Sequence, residues 1–387
     1  MFKIPTKIEY VIDTLLQNGF EAYIVGGCVR DMLLRKEPHD FDVTTSATPE
    51  EVIPLFEKTV PTGIKHGTVT VLLDGEAVEV TTFRTEGKYQ DHRHPENVRF
   101  VKSLMEDLAR RDFTVNAMAY NEKMGLCDYF GGKEDLENRI LRAVGNPLKR
   151  FSEDALRILR LYRFSATLGF KIYTETEDAA LLLSHTLEKI SGERIATELK
   201  KATSGENIKA FEPLIKSGAL SFLGIINTPD FEVIKHCRKS ERLSFFLLFY
   251  LSNSDIQKAV EILKLSNKEK AYFSKIKLLC DSKIPESKED IKWLLSKTGK
   301  EYFNDYLVYL SAISRDTDKI KRYYEEIERN NEPYLISHLA LGGEDLISLG
   351  LSGEKIGEAL EYLISEVIKN PQKNNEKDLT ILLKNFN

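Results

Sequence analysis

The chain has 387 residues, of which 42% are hydrophobic and 30% are charged. This composition is typical of a globular protein, and the length predicts two to four domains. No apolar run approaches the roughly 20 residues of a membrane span, and acidic residues interrupt the apolar N-terminal stretch, so we expect a cytoplasmic protein without a membrane segment or signal peptide. A net charge of -5 excludes attraction of nucleic acid over the whole surface and leaves only a local basic face for an RNA partner.

The four cysteines, Cys28, Cys127, Cys237 and Cys280, are widely separated. None of the paired spacings typical of zinc sites or of a compact disulfide framework occurs, so we expect reduced thiols.

The first predicted elements alternate between helix and strand. Residues 8–16 carry apolar side chains at helical spacing and end at Asn18-Gly19, which predicts a helix that covers a sheet. Residues 23–45 contain, in this order, a short apolar run, the Gly26-Gly27 break, a helical segment and a strand-like segment. This order predicts a strand, a turn, a helix and a second strand.

Two acidic residues mark the strand-like segment. Asp40 and Asp42 are separated by one residue, so alternation along a strand would put both carboxylates on one face. Converging carboxylates repel each other unless a cation lies between them, and Mg²⁺ held by one or two carboxylates and substrate phosphates is the ordinary solution. We interpret the pair as magnesium ligands, whereas an isolated Asp-x-Asp would favour a solvated acidic turn.

Two glycines and an arginine precede this acidic pair. Gly26 and Gly27 allow close approach of the backbone to a ligand, and Arg30, one helical turn further on, suits an anionic oxygen. A plain Gly-Gly strand end is the alternative, and the fingerprints of P-loop and dinucleotide-binding folds do not occur. The order Gly-Gly, Arg, Asp-x-Asp resembles the first motif of the polymerase-β-like nucleotidyltransferase superfamily. GGCVRD…HDFDVTT resembles specifically the class II tRNA nucleotidyltransferases, the CCA-adding enzymes.

A helix and a hairpin are predicted next. Thr48 suits a helix cap and Pro49 the first helical position, and we expect this helix to end near Lys58. Asp74-Gly75 lies between two strand-like runs, which predicts a hairpin.

A third acidic residue lies on the second strand of that hairpin. Glu79 alternates with two valines, so it would point towards Asp40 and Asp42 if the two strands are neighbours. A third acid is common in two-metal phosphoryl transfer, and a solvent-facing strand position is the equal alternative.

Residues 84–100 are polar, contain glycine and proline, and follow neither periodicity, which predicts a long mobile loop. The segment resembles the flexible loop of the class II family, whose presence is associated with addition of the terminal adenosine. His94 stands where this resemblance leads us to expect arginine.

Residues 107–119, DLARRDFTVNAMA, resemble the ribose-recognition motif RRDFTxNA of the family. By that resemblance Arg111, Asp112 and Asn116 bind the nucleotide. An acceptor such as Asp112 with a donor such as Arg111 would hold a ribose hydroxyl and reject deoxynucleotides. A salt-bridged helix start is the alternative for an isolated Arg-Arg-Asp. Residues 128–132, DYFGG, are a further match that closes the catalytic domain.

Strand signals give way to helices beyond Asn146, which predicts the main domain boundary. Ser152 is the predicted cap of a helix. On it, four charged residues recur every third position and form a ridge about 13 Å long, the size of a nucleoside triphosphate. These four are Asp154, Arg157, Arg160 and Arg163. Ordinary helix-dipole and surface charges are the alternative interpretation.

Base chemistry favours nucleotide selection by this ridge. A carboxylate accepts from the exocyclic amine of cytosine or adenine, and an adjacent guanidinium donates to the ring nitrogen beside it. Uracil and guanine reverse this order, so Asp154 with Arg157 would admit C and A and refuse U and G, each contact contributing about 1–3 kcal/mol. Residues 153–157, EDALR, resemble the EDxxR selection motif of the family, and by that likeness Arg160 and Arg163 reach the nucleotide and its phosphates.

Three later segments extend the resemblance. Residues 191–201, SGERIATELKK, resemble the last motif of the family, which we interpret as a brace behind the recognition helix. Residues 263–270 resemble the body domain, and residues 353–374 resemble the helical tail that holds the elbow of tRNA.

The resemblance implies an α+β catalytic head, a mixed β-sheet with flanking helices, in residues 1–145. An all-α neck for nucleotide recognition (146–205), a helical body (206–325) and a tRNA-binding helical tail (326–387) follow. It implies template-independent addition of C, C and A to the 3′ end of tRNA from CTP and ATP, with release of pyrophosphate. Asp40 and Asp42 would bind Mg²⁺ with Glu79 assisting, and a homodimer is compatible with the family.

Several alternatives share parts of this pattern. A-adding or CC-adding tRNA nucleotidyltransferases and poly(A) polymerases carry nearly the same motifs, although the intact loop argues against CC-only addition. A catalytically silent RNA-binding relative would lack a metal ligand, whereas Asp40 and Asp42 are both present. His39-Asp40 also suggests an HD-type phosphohydrolase, but no second metal-spaced histidine cluster accompanies it.

Overall fold

The computed structural model describes residues 3–86, 98–313 and 316–386. The chain divides into two compact units. The first contains Met1–Phe231 and Leu251–Lys264, and the second contains Glu232–Tyr250 and Leu265–Asn387. The predicted boundaries at 145, 205 and 325 stay predictions.

In the part of the chain that the structure describes, the strands lie in the first unit. They are β1 (Ala22–Val25), β2 (Asp42–Thr45), β3 (Thr59–Gly63), β4 (Thr68–Leu73), β5 (Glu76–Thr82), β6 (Arg84–Glu86), β7 (Val98–Phe100), β8 (Met118–Asn121), β9 (Gly125–Asp128), β10 (Ile140–Leu141) and β11 (Lys171–Ile172). Seven of them form one sheet in the order β3-β4-β5-β2-β1-β8-β9. Only the pair β2 and β5 is parallel in this sheet, so the sheet is mixed, as predicted.

The α-helices of the described residues are distributed over both units. They are α1 (Thr6–Gln17), α2 (Gly27–Leu33), α3 (Pro49–Val52), α4 (Leu104–Ala109), α5 (Gly132–Glu137), α6 (Pro147–Glu153), α7 (Leu156–Leu168), α8 (Thr174–Leu183), α9 (Gly192–Thr203), α10 (Glu212–Lys216), α11 (Phe231–His236), α12 (Glu241–Tyr250), α13 (Ile256–Ile262), α14 (Asn267–Asp281), α15 (Lys288–Thr298), α16 (Phe303–Ala312), α17 (Asp318–Arg329), α18 (Gly343–Ser348), α19 (Glu354–Lys369) and α20 (Glu376–Lys384). The second unit is helical in its described part, which confirms the predicted α+β head followed by helical domains. None of the described helices combines the length and apolarity needed to cross a membrane.

The core of the sheet forms because apolar side chains alternate along its strands. Tyr23 and Val25 of β1 cluster with Phe83 and with Leu104 and Leu108 of α4, and all five are buried. Burial of each such side chain contributes roughly 1.5–3 kcal/mol. This packing holds β1, which pairs with β2 in the sheet, and β2 begins at Asp42.

Two predicted elements are confirmed. Helix α1 covers the sheet and buries Ile8, Val11 and Leu15, the residues whose spacing predicted it. The hairpin between β4 and β5 turns at Asp74 and Gly75, whose φ angles are 47° and 83°. Positive φ at both central residues is the geometry that Asp-Gly favours in a two-residue hairpin.

The helix after Thr48 is shorter than predicted. Its start is as expected, since the backbone N–H of Thr48 donates to Glu51 at 2.8 Å and Pro49 is the first residue. It ends at Val52 and continues only as a 3₁₀ turn to Leu55 instead of reaching Lys58. Pro54 has no N–H with which to continue the helical hydrogen bonds.

The prediction of a loop over residues 84–100 is wrong at both of its ends. Strands β6 and β7 pair as antiparallel neighbours, with Arg84 opposite Phe100. Residues 87–97, which include His94, lie outside the described residues.

The helix predicted from Ser152 is in fact two helices. Asn146 caps α6 by accepting the N–H of Lys149 at 3.1 Å, so Ser152 lies inside α6 rather than before a helix. Asp154 adopts an extended conformation between α6 and α7, with φ -140° and ψ 105°, and its Oδ1 accepts the N–H of Leu156 at 3.0 Å. Asp154 therefore caps α7 and is not part of the ridge that carries the three arginines.

The second unit has an aromatic core. The ring of Phe273 on α14 lies 5.6, 5.3 and 6.3 Å from the rings of Phe245, Phe246 and Phe249 on α12. These separations are typical of favourable aromatic contacts, so this cluster joins α12 to α14.

We predict that Gly132→Ala destabilises the first unit by about 1–3 kcal/mol, the usual cost of overpacking. A Cβ at Gly132 would lie 2.2 Å from the carbonyl oxygen of Thr114, in the turn that carries Asn116. Thermal unfolding monitored by circular dichroism measures the effect. Gly357→Ala in α19 is the control, because no atom lies within 4 Å of the added methyl group. An unchanged melting temperature for Gly132→Ala would contradict the prediction.

Candidate active site

The acidic residues meet where β2 begins. Asp42 is its first residue, opposite Val25 of antiparallel β1 and opposite Glu79 of parallel β5. Glu79 and Asp42 are therefore neighbours on adjacent strands, as expected. Asp40 precedes β2 and lies outside the strand, so strand alternation does not place it as predicted.

The charges around Asp42 favour a cation. Desolvation raises the pKa of Asp42 above its ordinary value, Asp40 raises it further, and Arg111 lowers it. The described residues contain no group of three or more His, Cys, Asp or Glu side chains placed to hold a metal ion. A hard divalent cation needs only one or two carboxylates when substrate phosphates and water complete its coordination, so Asp40 and Asp42 fit such an ion.

The two glycines form the turn from β1 into α2. Gly26 has φ 82°, and a Cβ there would lie 3.0 Å from Nη1 of Arg111, so glycine allows this close approach. Arg30 of α2 is 9% exposed and donates through Nη1 to Oδ1 of Asn116 at 2.7 Å. The predicted phosphate-binding residues thus contact the predicted ribose-binding residues.

The buried carboxylate of Asp112 accepts hydrogen bonds from several donors. Its Oδ2 accepts from Nη2 of Arg160 at 2.7 Å, and its Oδ1 accepts from Nδ2 of Asn116 at 3.1 Å and from the N–H of Phe113 at 2.8 Å. Burial alone would raise the pKa of Asp112, but the Arg160 charge and these hydrogen bonds outweigh it and bring the pKa to about 2. Asp112 is therefore ionised at neutral pH.

Arg111 has a different partner from the one expected. It donates to Oδ2 of Asp107 at 3.3 Å, while Arg110 donates to Oδ1 of the same carboxylate at 2.8 Å. Asp107 is fully buried; burial would raise its pKa, but Arg110 and Arg111 lower it below its ordinary value. Arg111 and Asp112 therefore have separate partners: Arg111 donates to Asp107, and Asp112 accepts from Arg160.

The two residues predicted to select bases also have protein partners. Oδ2 of Asp154 accepts from Nη2 of Arg194 at 2.7 Å. Arg157 donates through Nη1 to Glu153 at 2.8 Å, and through Nη2 to the carbonyl oxygen of Arg110 at 3.0 Å. Asp154 and Arg157 are thus each held by other protein groups, Asp154 by Arg194 and Arg157 by Glu153 and the carbonyl of Arg110.

Arg160 and Arg163 are held from α9. The buried Glu198 accepts from Nε of Arg163 at 2.9 Å and forms a longer ion pair with Arg160 at 3.7 Å. The guanidinium carbon of Arg163 also lies 3.5 Å from the ring centroid of Phe164, a cation–π contact. Helix α9 therefore supports α7, in agreement with the interpretation of residues 191–201 as a brace.

These groups converge on one cavity of about 460 Å³, which we call the arginine-rich cavity. Eleven of the thirteen predicted site residues line it. They are Gly26, Gly27, Arg30, Asp42, Arg111, Asp112, Asn116, Asp154, Arg157, Arg160 and Arg163. Asp40 and Glu79 instead line a second space of about 1390 Å³, which we call the larger groove, and Asp42 lines both.

Sequence reasoning missed several residues of the arginine-rich cavity. Arg110, Phe164 and Arg194 also line it, and Glu198 anchors two of its arginines. Arg194 and Glu198 lie four residues apart on α9, so their spacing already places both on one helical face. That spacing was the available signal.

Comparison with known proteins agrees with this geometry. The family described as "Poly A polymerase head domain" matches residues 22–142, and "Probable RNA and SrmB- binding site of polymerase A" matches residues 169–225. The CCA-adding enzyme of Oceanobacillus iheyensis is 37% identical, over 96% of this chain and 95% of its own.

Solved structures have the same fold. The Bacillus stearothermophilus CCA-adding enzyme in complex with CTP is 32% identical, with a TM-score of 0.81 over 99% of this chain and 98% of that chain. The Thermotoga maritima CCA-adding enzyme complexed with tRNA has a TM-score of 0.71 at 21% identity, over 100% of this chain and 97% of that chain, a likeness of fold.

The mixed sheet, the acidic strand end and the matched head domain define a nucleotidyltransferase, a class that generally uses a divalent metal ion. Identity above 30% over nearly the whole chain then decides the family. The chain belongs to the family of CCA-adding enzymes.

We predict a pH-dependent cost for Asp112→Asn. The pKa of Asp112 is lowered from its ordinary 3.8 to about 2 in the folded state, so its ionised form stabilises the fold above about pH 4. This contribution disappears as the pH falls to 2. The variant should be less stable than the wild type by about 2 kcal/mol at pH 7, with a difference that vanishes near pH 2.

Urea unfolding at pH 7, 5 and 3 measures this difference. Asp178→Asn, at an exposed position of α8, is the control and should match the wild type. A difference for Asp112→Asn that stays constant across this range would show that the charge of Asp112 does not stabilise the fold.

Proposed function

We propose that this chain adds C, C and A to the 3′ end of tRNA from CTP and ATP, without a nucleic-acid template and with release of pyrophosphate. The observation that carries the proposal is the arginine-rich cavity, where Asp154 and Arg157 lie in the same space as Asp42. The CTP complex of a relative that is 32% identical supports a nucleotide as the occupant. A cytoplasmic location and a homodimer stay predictions.

Base selection would use Asp154 and Arg157. Oδ2 of Asp154 already accepts from Arg194, but a carboxylate oxygen has a second lone pair for the exocyclic amine of cytosine or adenine. Arg157 would donate to the ring nitrogen by exchanging one of its protein acceptors for the base. The hydrogen bond from Arg194 holds Asp154 in position, and an ionised carboxylate can only accept.

The ribose and the phosphates would occupy the rest of the cavity. Asp112 and Asn116 offer groups for a ribose hydroxyl, while Arg111 lies between Asp107 and Gly26. Arg30, Arg160 and Arg163 suit phosphate oxygens, because guanidinium groups bind them with paired, charge-assisted hydrogen bonds. The open backbone at Gly26 and Gly27 leaves space for the triphosphate.

The catalytic carboxylates would hold the metal ion. Asp40 and Asp42 are the proposed Mg²⁺ ligands, with Glu79 next to Asp42 across the β2–β5 pair. Magnesium, when bound, stabilises charge on the leaving pyrophosphate and activates the attacking 3′-hydroxyl. Since Asp42 lines both spaces, it lies where the two substrates would meet.

The test is extension of three tRNA transcripts, which end at the discriminator base, at C and at CC, with each NTP separately in the presence of Mg²⁺. We expect addition of C, C and then A, refusal of UTP and GTP, and no reaction with EDTA. Asp42→Asn should abolish addition, whereas Asp74→Asn, in the β4–β5 turn, should leave it unchanged.

Other products would identify the rival functions. Extension of only the CC-ended transcript would make this an A-adding enzyme, and arrest after two cytidines would make it a CC-adding enzyme. Repeated addition of A would indicate a poly(A) polymerase. Binding of tRNA without extension would indicate a catalytically silent relative.

We predict that Asp154→Asn relaxes base selection. An amide donates where the carboxylate only accepts, so the carbonyl oxygen of uracil or guanine becomes an acceptable partner. The ratio of kcat/KM for CTP to that for UTP should fall about 5- to 150-fold, the equivalent of 1–3 kcal/mol. Single-nucleotide addition measures the ratio, and Asp178→Asn is the control. An unchanged ratio would show that Asp154 does not select the base.

A further inference from the structure

The three arginines proposed for the phosphates lie over one aromatic ring. The guanidinium carbons of Arg163, Arg30 and Arg160 are 3.5, 5.2 and 5.4 Å from the ring centroid of Phe164. A guanidinium within about 6 Å of an aromatic centroid is attracted by the negative face of the ring. Arg30 belongs to α2 and the other two belong to α7, so the ring connects both helices at the arginine-rich cavity, which Phe164 itself lines.

The orientation of this ring is set by a second phenylalanine. Phe164 is 5% exposed and meets the fully buried Phe113 edge to face, with ring centroids 5.8 Å apart and an angle of 84° between the ring planes. Phe113 directly follows Asp112, and its N–H donates to Oδ1 of that carboxylate at 2.8 Å. The ring of Phe164 therefore packs on the same turn that carries Asp112.

An aromatic ring holds a guanidinium in a different way from a carboxylate. A carboxylate neutralises the cation and occupies some of its N–H groups, whereas the face of a ring leaves the charge and the N–H groups available. Arg163 shows this difference. Its Nε donates to Glu198 at 2.9 Å, while its Nη1 and Nη2 donate to no other group among the residues that the structure describes. Both nitrogen atoms therefore stay available for phosphate oxygens.

Resting on the proposed function, we propose that Phe164 is a positioning residue for triphosphate binding. Its ring holds Arg30, Arg160 and Arg163 side by side before the nucleotide arrives, although their like charges repel one another. Other groups hold the base and the ribose, so Phe164 acts on the triphosphate of CTP and of ATP alike.

Two other roles would use the same ring. A nucleotide base could stack on it, or the ring could only fill the core between α7 and the turn at Phe113. The observations favour positioning, because guanidinium groups already lie over the ring and an exposure of 5% leaves little of its surface for a base.

The first test replaces Phe164, in the full chain, by mono-, di- and trifluorinated phenylalanine. Fluorine withdraws electrons from the face of the ring with little change in its size, so it weakens the attraction of cations and nearly preserves the packing. Calorimetry with inorganic tripolyphosphate as the probe measures phosphate binding without a base or a ribose. We expect log Kd for tripolyphosphate to rise with each added fluorine.

The second test compares Phe164→Leu with Phe211→Leu. Phe211 is fully buried and lies 5.8 Å, between ring centroids, from Tyr162 of α7, but no guanidinium in the described ranges lies over its ring. Phe164→Leu should raise Kd for tripolyphosphate and KM for both CTP and ATP about 5-fold. The ratio of kcat/KM for CTP to that for UTP and the KM for tRNA should stay unchanged. Phe211→Leu should match the wild type in all of these readouts.

Several results would overturn the proposal. Constant affinity across the fluorinated series, or an equal loss of affinity in both leucine variants, would assign the ring to core packing. Raised KM for CTP and ATP with unchanged binding of tripolyphosphate would indicate stacking of the base. A wild type that binds no tripolyphosphate would overturn this inference. A wild type that binds it but does not extend tRNA would overturn the proposed function alone, because the calorimetry tests Phe164 without the reaction.

Discussion

The site depends on buried carboxylates that neutralise a group of arginines which would otherwise repel one another. Burial and the neighbouring Arg160 both lower the pKa of Arg163, and Glu198 opposes them. Asp112 holds Arg160 from the sheet side, with two hydrogen bonds of 2.7 and 2.9 Å. Removal of one partner from such a pair costs several kcal/mol, because it leaves an uncompensated charge in the interior. The ion pair between Asp112 and Arg160 therefore holds α7 against the turn that carries Asn116.

Partial neutralisation also prepares the cavity for its ligand. Guanidinium groups that are already oriented by carboxylates need little rearrangement when phosphate oxygens arrive, and oriented charges of this kind stabilise developing negative charge effectively. The same principle applies to Asp154, because a hydrogen bond of 2.7 Å from Arg194 holds its Oδ2 in position. Helix α9 thus holds both Asp154, through Arg194, and Arg163, through Glu198.

The two spaces that share Asp42 differ in the charged side chains that line them. The arginine-rich cavity has charges countered by internal carboxylates, which suits a small ligand held in one orientation. The larger groove is lined by five carboxylates and by four basic side chains, and two of these, Arg35 and Lys36, follow the end of α2. Asp42 lines both spaces.

The amino-acid sequence was enough to predict the local elements and much of the site. Alternation placed Glu79 facing the acidic segment, Asp-Gly predicted the hairpin, and the chemistry of carboxylate and guanidinium suggested selection of C and A. These features depend on neighbours within a few residues. The pairing of the charged groups depends instead on the three-dimensional fold: Asp112 pairs with Arg160 across 48 residues, Asp154 with Arg194 across 40, and Arg157 with the carbonyl of Arg110 across 47. Partners so far apart leave no periodic signal, because their meeting is set by how helices pack on the sheet. For the same reason the sequence placed Asp154 on a helix, whereas its extended backbone and its cap on Leu156 follow from the break between α6 and α7.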